Sequence, residues 1–183
     1  MSVDALRGSG ATCFAPRPGD GRQRSHLNIL GGDMTEYVDL TKERFLAFRD
    51  SPREGVVHML NLIRLRDRAV YPDGREVSGA DAYRAYGQTS EPVLARLGAK
   101  IIWEGRYELM VIGPDEEAWD LCFVAEYRSV DSFLEMMRDP VYREAAAHRK
   151  AAALDSRLIR LQALPQATRF GAFLPRNAEA LAP

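Results

Sequence analysis

Lysine is almost missing from this chain: Lys42, Lys100 and Lys150 stand alone among 25 basic residues, and the balance is arginine. Arginine forks hold anions, but these are scattered over the chain, which favours the compositional habit of an arginine- and alanine-rich source over a set of anion-binding forks. Net charge is missing too. The 26 acidic residues leave a formal −1, so no overall field exists to hold nucleic acid or an anionic membrane. No apolar run approaches the ~18 residues of a membrane span. Nor is there a signal core near the start, since the Leu27–Leu30 run already contains Asn28. The two cysteines, Cys13 and Cys122, lie far apart; a disulfide framework is not expected, and a reducing cytoplasm is the natural compartment. Cys122 sits in an apolar strand, as a small buried hydrophobe would. His26, His58 and His148 lack metal-ligand spacing, and haem finds an axial ligand only if His58 or His148 turns inward. There is no glycine-rich phosphate loop, and Gly8–Ser9–Gly10 lacks the strand–turn–helix setting of a nucleophile elbow. No metal or other cofactor is expected.

What is present reads as one globular domain with appendages: 183 residues, 46% hydrophobic and 28% charged. Residues 1–35 are expected to form a flexible arm, because the first 33 hold six of the 14 glycines and no Lys or Glu. Met34 opens a better patterned sequence, so translation from there is the other reading. The domain is expected over 36–165, followed by a polar, proline-punctuated tail over 166–183.

Asp39–Leu40–Thr41 can cap a short helix whose apolar residues are Phe45, Leu46 and Phe48, with Ser51–Pro52 ending it. Val56–Leu65 follows as a strand apolar on both faces, with Val57, Met59 and Ile63 on one and Val56, Leu60 and Leu62 on the other. His58 and Asn61 interrupt it on opposite faces. After the Pro72–Asp73–Gly74 turn, Ser78 caps a helix with Asp81 in its first turn. Ser90–Glu91–Pro92 is expected to kink or restart that helix, and Gly98 stops it. Lys100–Ile112 reads as one long bent strand or two segments, and Trp119–Tyr127 as a strand rich in aromatic and branched residues. Ser129 caps a helix containing Phe133, Leu134, Met136 and Met137; Asp139–Pro140 opens another over Val141–Leu154. Ser156–Leu164 is the final strand.

With the leading helix set aside and the helix pair counted as one layer, the order is β-α-β-β-α-β. That is the α+β, ferredoxin-like arrangement, an antiparallel four-stranded sheet with helices on one face. The other face is left bare although its residues are apolar. The simplest cover is the same face of a second copy, a two-fold homodimer paired sheet to sheet.

Several blocks in register carry a resemblance: MLNLIRL, AYRAYG, RLGAKIIWEG, IGP followed by WDLCFVAEY, and FLEMMRDPVYREAAAHR. They resemble an uncharacterised family, domain of unknown function 1330, within the dimeric α/β-barrel superfamily. The likeness runs over roughly residues 40–163. It implies a ferredoxin-like protomer pairing sheet to sheet and no verified activity. Other members of that superfamily include cofactor-independent monooxygenases, haem-degrading enzymes, muconolactone-isomerase-like proteins and stress-induced barrels, which share the fold only.

Candidate chemistry gathers on few residues. Asn61 is a polar interruption in a doubly apolar strand and serves either a structural bond or a ligand carbonyl. Tyr83 and Tyr86, three apart, share a helix face; they are core residues with polar tips or a pair of phenols in a pocket. Trp103 either packs or lines such a pocket. Glu104 and Asp120 are carboxylates beside tryptophans, solvated or paired with arginine unless desolvation makes one a base. His148 and Arg149 are the reactive candidates, a neutral-range titrating group beside an anion-holding fork; the alternative is two cations favoured by a helix C-terminus. Tyr142 lies seven residues before Arg149, nearly on its face. The resulting expectation is a cytoplasmic homodimer binding a small carbonyl- or carboxylate-bearing molecule in a helix/sheet pocket, in its enzyme form a cofactor-independent oxygenase or isomerase. The rival is a non-catalytic binding or stress-related dimer. Neither nucleic acid nor membrane is an expected partner.

Overall fold

A computed structural model of the chain describes residues 37–51 and 54–162. The expected arm, the expected tail and the last residues of the expected final strand lie outside the described residues. The elements are α1 (Lys42–Arg49), β1 (Val57–Leu65), α2 (Gly79–Arg96), β2 (Lys100–Gly105), β3 (Leu121–Tyr127), α3 (Val130–Arg138), α4 (Pro140–Ala152) and β4 (Ala153–Leu161).

The caps are local chemistry. Thr41 Oγ1 accepts from Arg44 N–H at 3.3 Å. Ser78 Oγ accepts from Asp81 N–H at 3.0 Å and donates to the Asp81 carboxylate at 2.6 Å. Asp139 Oδ1 accepts from Val141 N–H at 2.8 Å and Tyr142 N–H at 3.2 Å, with Pro140 taking the first helical position, where no N–H is needed. At the end of α2, Ala99 N–H bonds to Leu94 O and Gly98 N–H to Ala95 O, with Gly98 at φ +68°; this pair of hydrogen bonds satisfies late carbonyls of the helix and needs a residue tolerant of positive φ. The helix does not restart at Pro92: α2 runs through it, and the proline has no N–H to give to Gln88 O.

The sheet order is β2-β3-β1-β4, every neighbouring pair antiparallel. β1 is central, with Val57 opposite Tyr127, Met59 opposite Ala125 and Asn61 opposite Phe123. Those residues face the helices. Val57, Met59, Ala125 and Tyr127 pack with Val93 of α2 and Leu97 at its C-cap, Phe133 and Met136 of α3, and Tyr142 of α4. Burying each large apolar side chain contributes about 1.5–3 kcal/mol before ordering costs. A smaller cluster, Ala69, Tyr71, Ala82, Ala151 and Ala152, joins the β1–α2 connection to the end of α4.

The outer sheet face pairs Leu60 with Val124 and Ile159, and Leu62 with Cys122 and Arg157. At one end the His58 imidazole meets the Glu126 carboxylate at 3.0 Å, which Lys100 also meets at 3.0 Å. The expected strand Lys100–Ile112 is shorter than read: β2 stops at Gly105. Leu109, Val111 and Ile112 belong to no strand and stand exposed, Ile112 at 91%.

Candidate functional site

The inner face carries four tyrosines from three elements. Tyr83 and Tyr86 come from α2 with ring centroids 5.2 Å apart, and Tyr86 lies 6.2 Å from the Tyr142 ring of α4. The hydroxyls of Tyr86 and Tyr142 are 3.4 Å apart. Tyr127 of β3 packs edge-on against Phe133 at 5.1 Å and donates its hydroxyl to the Met136 sulfur at 3.7 Å. Burial pushes the phenols of Tyr83, Tyr127 and Tyr142 well above the usual tyrosine value; Tyr86 reinforces the rise, and the positive charge of Arg149 opposes it in all three. At neutral pH Tyr83, Tyr127 and Tyr142 are therefore neutral hydroxyls near a cation.

Arg149, late in α4, is half-buried. Its guanidinium donates to Val38 O at 2.9 Å and to Ser156 Oγ at 3.3 Å. Among the described residues it meets no carboxylate. His148, one position earlier, points elsewhere: its Nδ1 shares a 2.7 Å hydrogen bond with the Tyr71 hydroxyl, and the Arg75 guanidinium lies 4.1 Å over the Tyr71 ring. Tyr83 packs against the cluster that contains Tyr71 and so stands between the two neighbourhoods.

The remaining candidates divide. Asn61 is buried on the inner face, and its Nδ2 donates to Met59 O at 2.9 Å, spending that half of the amide on its own strand. Trp103 is not on the tyrosine side. It pairs with Val124, on the outer face, while Ile101 pairs with Ala125 on the inner one, because the register shifts between them. Trp103 therefore cannot line one chamber with Tyr83. Its ring lies over Gly105, where a Cβ would stand 2.7 Å from the indole. Asp120 is also apart: its Oδ2 accepts from Leu65 N–H at 2.8 Å, fastening the far end of β1, and the seven residues from there to Tyr127 span roughly 23 Å of strand. Glu104 lies on β2, whose side chains are mostly exposed.

Sequence reading missed Tyr71, Tyr127, Tyr37 and Ser156. Tyr127 has a readable signal, since its alternation with Ala125 and Phe123 places it on the face opposite Val124. Tyr71 lies in a polar excursion, where no periodicity marks it. Among the described residues no three His, Cys, Asp or Glu side chains stand together as a metal site needs. No helix of the described residues is long and apolar enough to cross a membrane.

Sheet order, caps and the helix-covered inner face define an α+β protein of ferredoxin-like fold. The chain belongs to the family described as domain of unknown function (DUF1330), which matches residues 74–161. It is similar to the RPA0582 protein of unknown function from Rhodopseudomonas palustris: 60% identity over 72% of this chain and 100% of that one, with a TM-score of 0.70. The crystal structure of methylated RPA0582 protein agrees at 62% identity, covering 72% and 98%, TM-score 0.71. A dimeric protein of unknown function and ferredoxin-like fold from Bacteroides fragilis aligns at 16% identity over 58% of this chain and 95% of that one, TM-score 0.38. No curated protein matches the chain.

Proposed function

We propose that the protein is a cytoplasmic homodimer that binds a small organic molecule bearing a carboxylate or carbonyl, between its helices and the inner face of its sheet. Arg149 carries the reading. A half-buried guanidinium normally keeps a counter-ion, because desolvating an unpaired charge is costly; here it meets one carbonyl and one hydroxyl. A ligand carboxylate completes it with charge-assisted bonds, while the tyrosine hydroxyls orient the ligand and the rings receive its apolar body. Asn61 forms the floor of this site. The Tyr71–His148 hydrogen bond supplies the proton-moving group that an oxygenase- or isomerase-like version needs.

The dimer rests on the outer sheet face. Leu60, Leu62, Cys122, Val124 and Ile159 make its apolar centre. Glu126 with Lys100 at one end, and Asp155 with Arg157 at 2.7 Å at the other, leave the rim neutral by internal pairing. Such a face does not repel its own copy and has the apolar-centre, polar-rim build of an interface. Leu109, Val111 and Ile112, which follow β2 in the chain, are further exposed apolar side chains.

Calorimetric titration with benzoate and pyruvate tests the ligand class. Wild type is expected to bind at least one, and Arg149→Gln to bind it about 10–100-fold more weakly, the loss of a charge-assisted contact. Equal affinity in both proteins, or no binding by wild type, removes the reading.

A further inference from the structure

Arg149 is not open to its surroundings, because the segment before α1 lies across it. Val38 O accepts one of its N–H groups at 2.9 Å. Ser156 Oγ accepts another at 3.3 Å and itself donates to Tyr37 O at 2.6 Å. Tyr37 N–H is tied to Asp155 Oδ1 at 3.0 Å, and the Arg157 guanidinium lies 4.9 Å over the Tyr37 ring. The Lys150–Asp39 pair at 2.6 Å is exposed at both ends and adds little. Residues Tyr37–Asp39 are thus a strap fastened chiefly through Ser156 and Asp155. The same strap walls a cavity of about 500 Å³, whose lining includes Tyr37, Val38, Asp39, Arg66, Val70 and Lys150. That volume is in the range of small-molecule sites. Its lining is apolar at Val38 and Val70 and carries the Arg66 guanidinium and the Lys150–Asp39 pair.

We infer that Val38 O is a placeholder at Arg149, and that a small monocarboxylate entering from this cavity displaces it and swings the Tyr37–Asp39 strap outward. The inference rests on Arg149 as the carboxylate-binding residue and adds an entrance and a gate to it. A carboxylate is the stronger acceptor, since its hydrogen bonds to guanidinium are charge-assisted and bidentate while the peptide carbonyl offers one neutral acceptor. What opposes the exchange is the fastening of the strap, which lowers apparent affinity by the fraction of molecules in which Arg149 is free. Val38 has its side on the cavity and its carbonyl on Arg149, so one movement connects the two.

The probe is benzoate, with affinity read by calorimetry and strap motion by amide hydrogen exchange at Tyr37. In wild type, benzoate is expected to speed exchange of the Tyr37 amide about tenfold or more, since its bond to Asp155 opens with the strap. Ser156→Ala, which removes the donor to Tyr37 O, is expected to bind benzoate about three- to tenfold more tightly; Asp155→Asn loosens the same strap from its other tie and shifts affinity the same way. Benzoate binding that leaves Tyr37 exchange unchanged or slower overturns the strap while Arg149 stands as the carboxylate site. Unchanged or weaker affinity in both variants does the same. If neither wild type nor Ser156→Ala binds benzoate or pyruvate, the strap and the carboxylate reading fall together.

Discussion

Gly79 opens α2, and an added methyl there has no room. A Cβ on its backbone would stand 1.9 Å from Arg66 O and 2.9 Å from Arg66 C. These are main-chain atoms, and the Arg66 N–H is itself bonded to Ala152 O at 2.8 Å, so no rotamer change relieves the clash. Two effects compete in Gly79→Ala. Alanine gains at most about 1 kcal/mol over glycine in a helix interior, and less in the first turn. Against that, real Cβ atoms essentially never come within 3.0 Å of such a neighbour, so α2 or the Arg66 peptide must move by about an ångström, and forced overpacking costs about 1–3 kcal/mol. The steric term wins. For a domain of this size each kcal/mol moves Tm by about 2–4 °C, so the expected loss is roughly 2–12 °C. Gly87→Ala is the control. The same helix leaves open space there, and the variant is expected to be as stable as wild type or up to about 1 kcal/mol more so. Thermal unfolding by circular dichroism of the two variants side by side decides the matter, and a Gly79→Ala Tm at or above wild type refutes the steric argument. Because Tyr83 and Tyr86 ride on the next turns of α2, benzoate affinity in Gly79→Ala should fall as well.

The three buried phenols give stability a defined alkaline limit. Their folded values lie above the unfolded value of about 10, so their contribution is fully present below pH ~10 and is lost as pH rises beyond it. Each tyrosine removes about 1.4 kcal/mol per pH unit in that window, and a urea midpoint that stays level through the same window contradicts the burial of Tyr83, Tyr127 and Tyr142. Leu62→Arg puts a charge at the centre of the outer face and is expected to convert a dimer to a folded monomer by light scattering at micromolar concentration; a monomeric wild type ends the sheet-to-sheet proposal. Asp139→Ala removes the acceptor for two amide donors of α4 and a 2.8 Å ion pair with Arg96. Its expected cost in urea unfolding is about 1–2 kcal/mol, and a loss within error would show that Pro140 alone sets the helix start.

The fold was legible where local chemistry and burial point the same way. Ser78, Ser129 and Asp139 sit where caps are needed, and β1 shows its two faces in plain alternation, with Asn61 inward and His58 outward. Reading failed where a long-range contact or an irregularity decides. Leu109, Val111 and Ile112 carry the composition of a strand, yet among the described residues no strand pairs with them, and composition has no means of showing that. Strict alternation puts Ile101 and Trp103 on one face, and the register shift between them turns Trp103 to the other. At the candidate site, helix spacing did bring Tyr142 and Arg149 to one side of α4. It also grouped His148 with Arg149, although consecutive helical positions diverge by about 100° and their partners, Tyr71 and Ser156, lie on separate segments. The ties from Tyr37 and Val38 to α4 and β4 span more than a hundred positions of chain, where no spacing rule reaches.

Gly105 leaves a bare patch of backbone on which the Trp103 indole lies, 54% exposed. The other tryptophan, Trp119, is 6% exposed with the Arg157 guanidinium 5.2 Å over its ring. The two indoles therefore differ in surroundings before any label is attached, one wet and one dry beside a cation. Fluorescence from Trp103 reddens in water and shifts to the blue when the outer face is covered, while Trp119 answers to the far end of the sheet, where Arg157 also holds Tyr37. A single emission spectrum thus carries two channels, one for association and one for the strap, and quenching by iodide separates them without altering a residue.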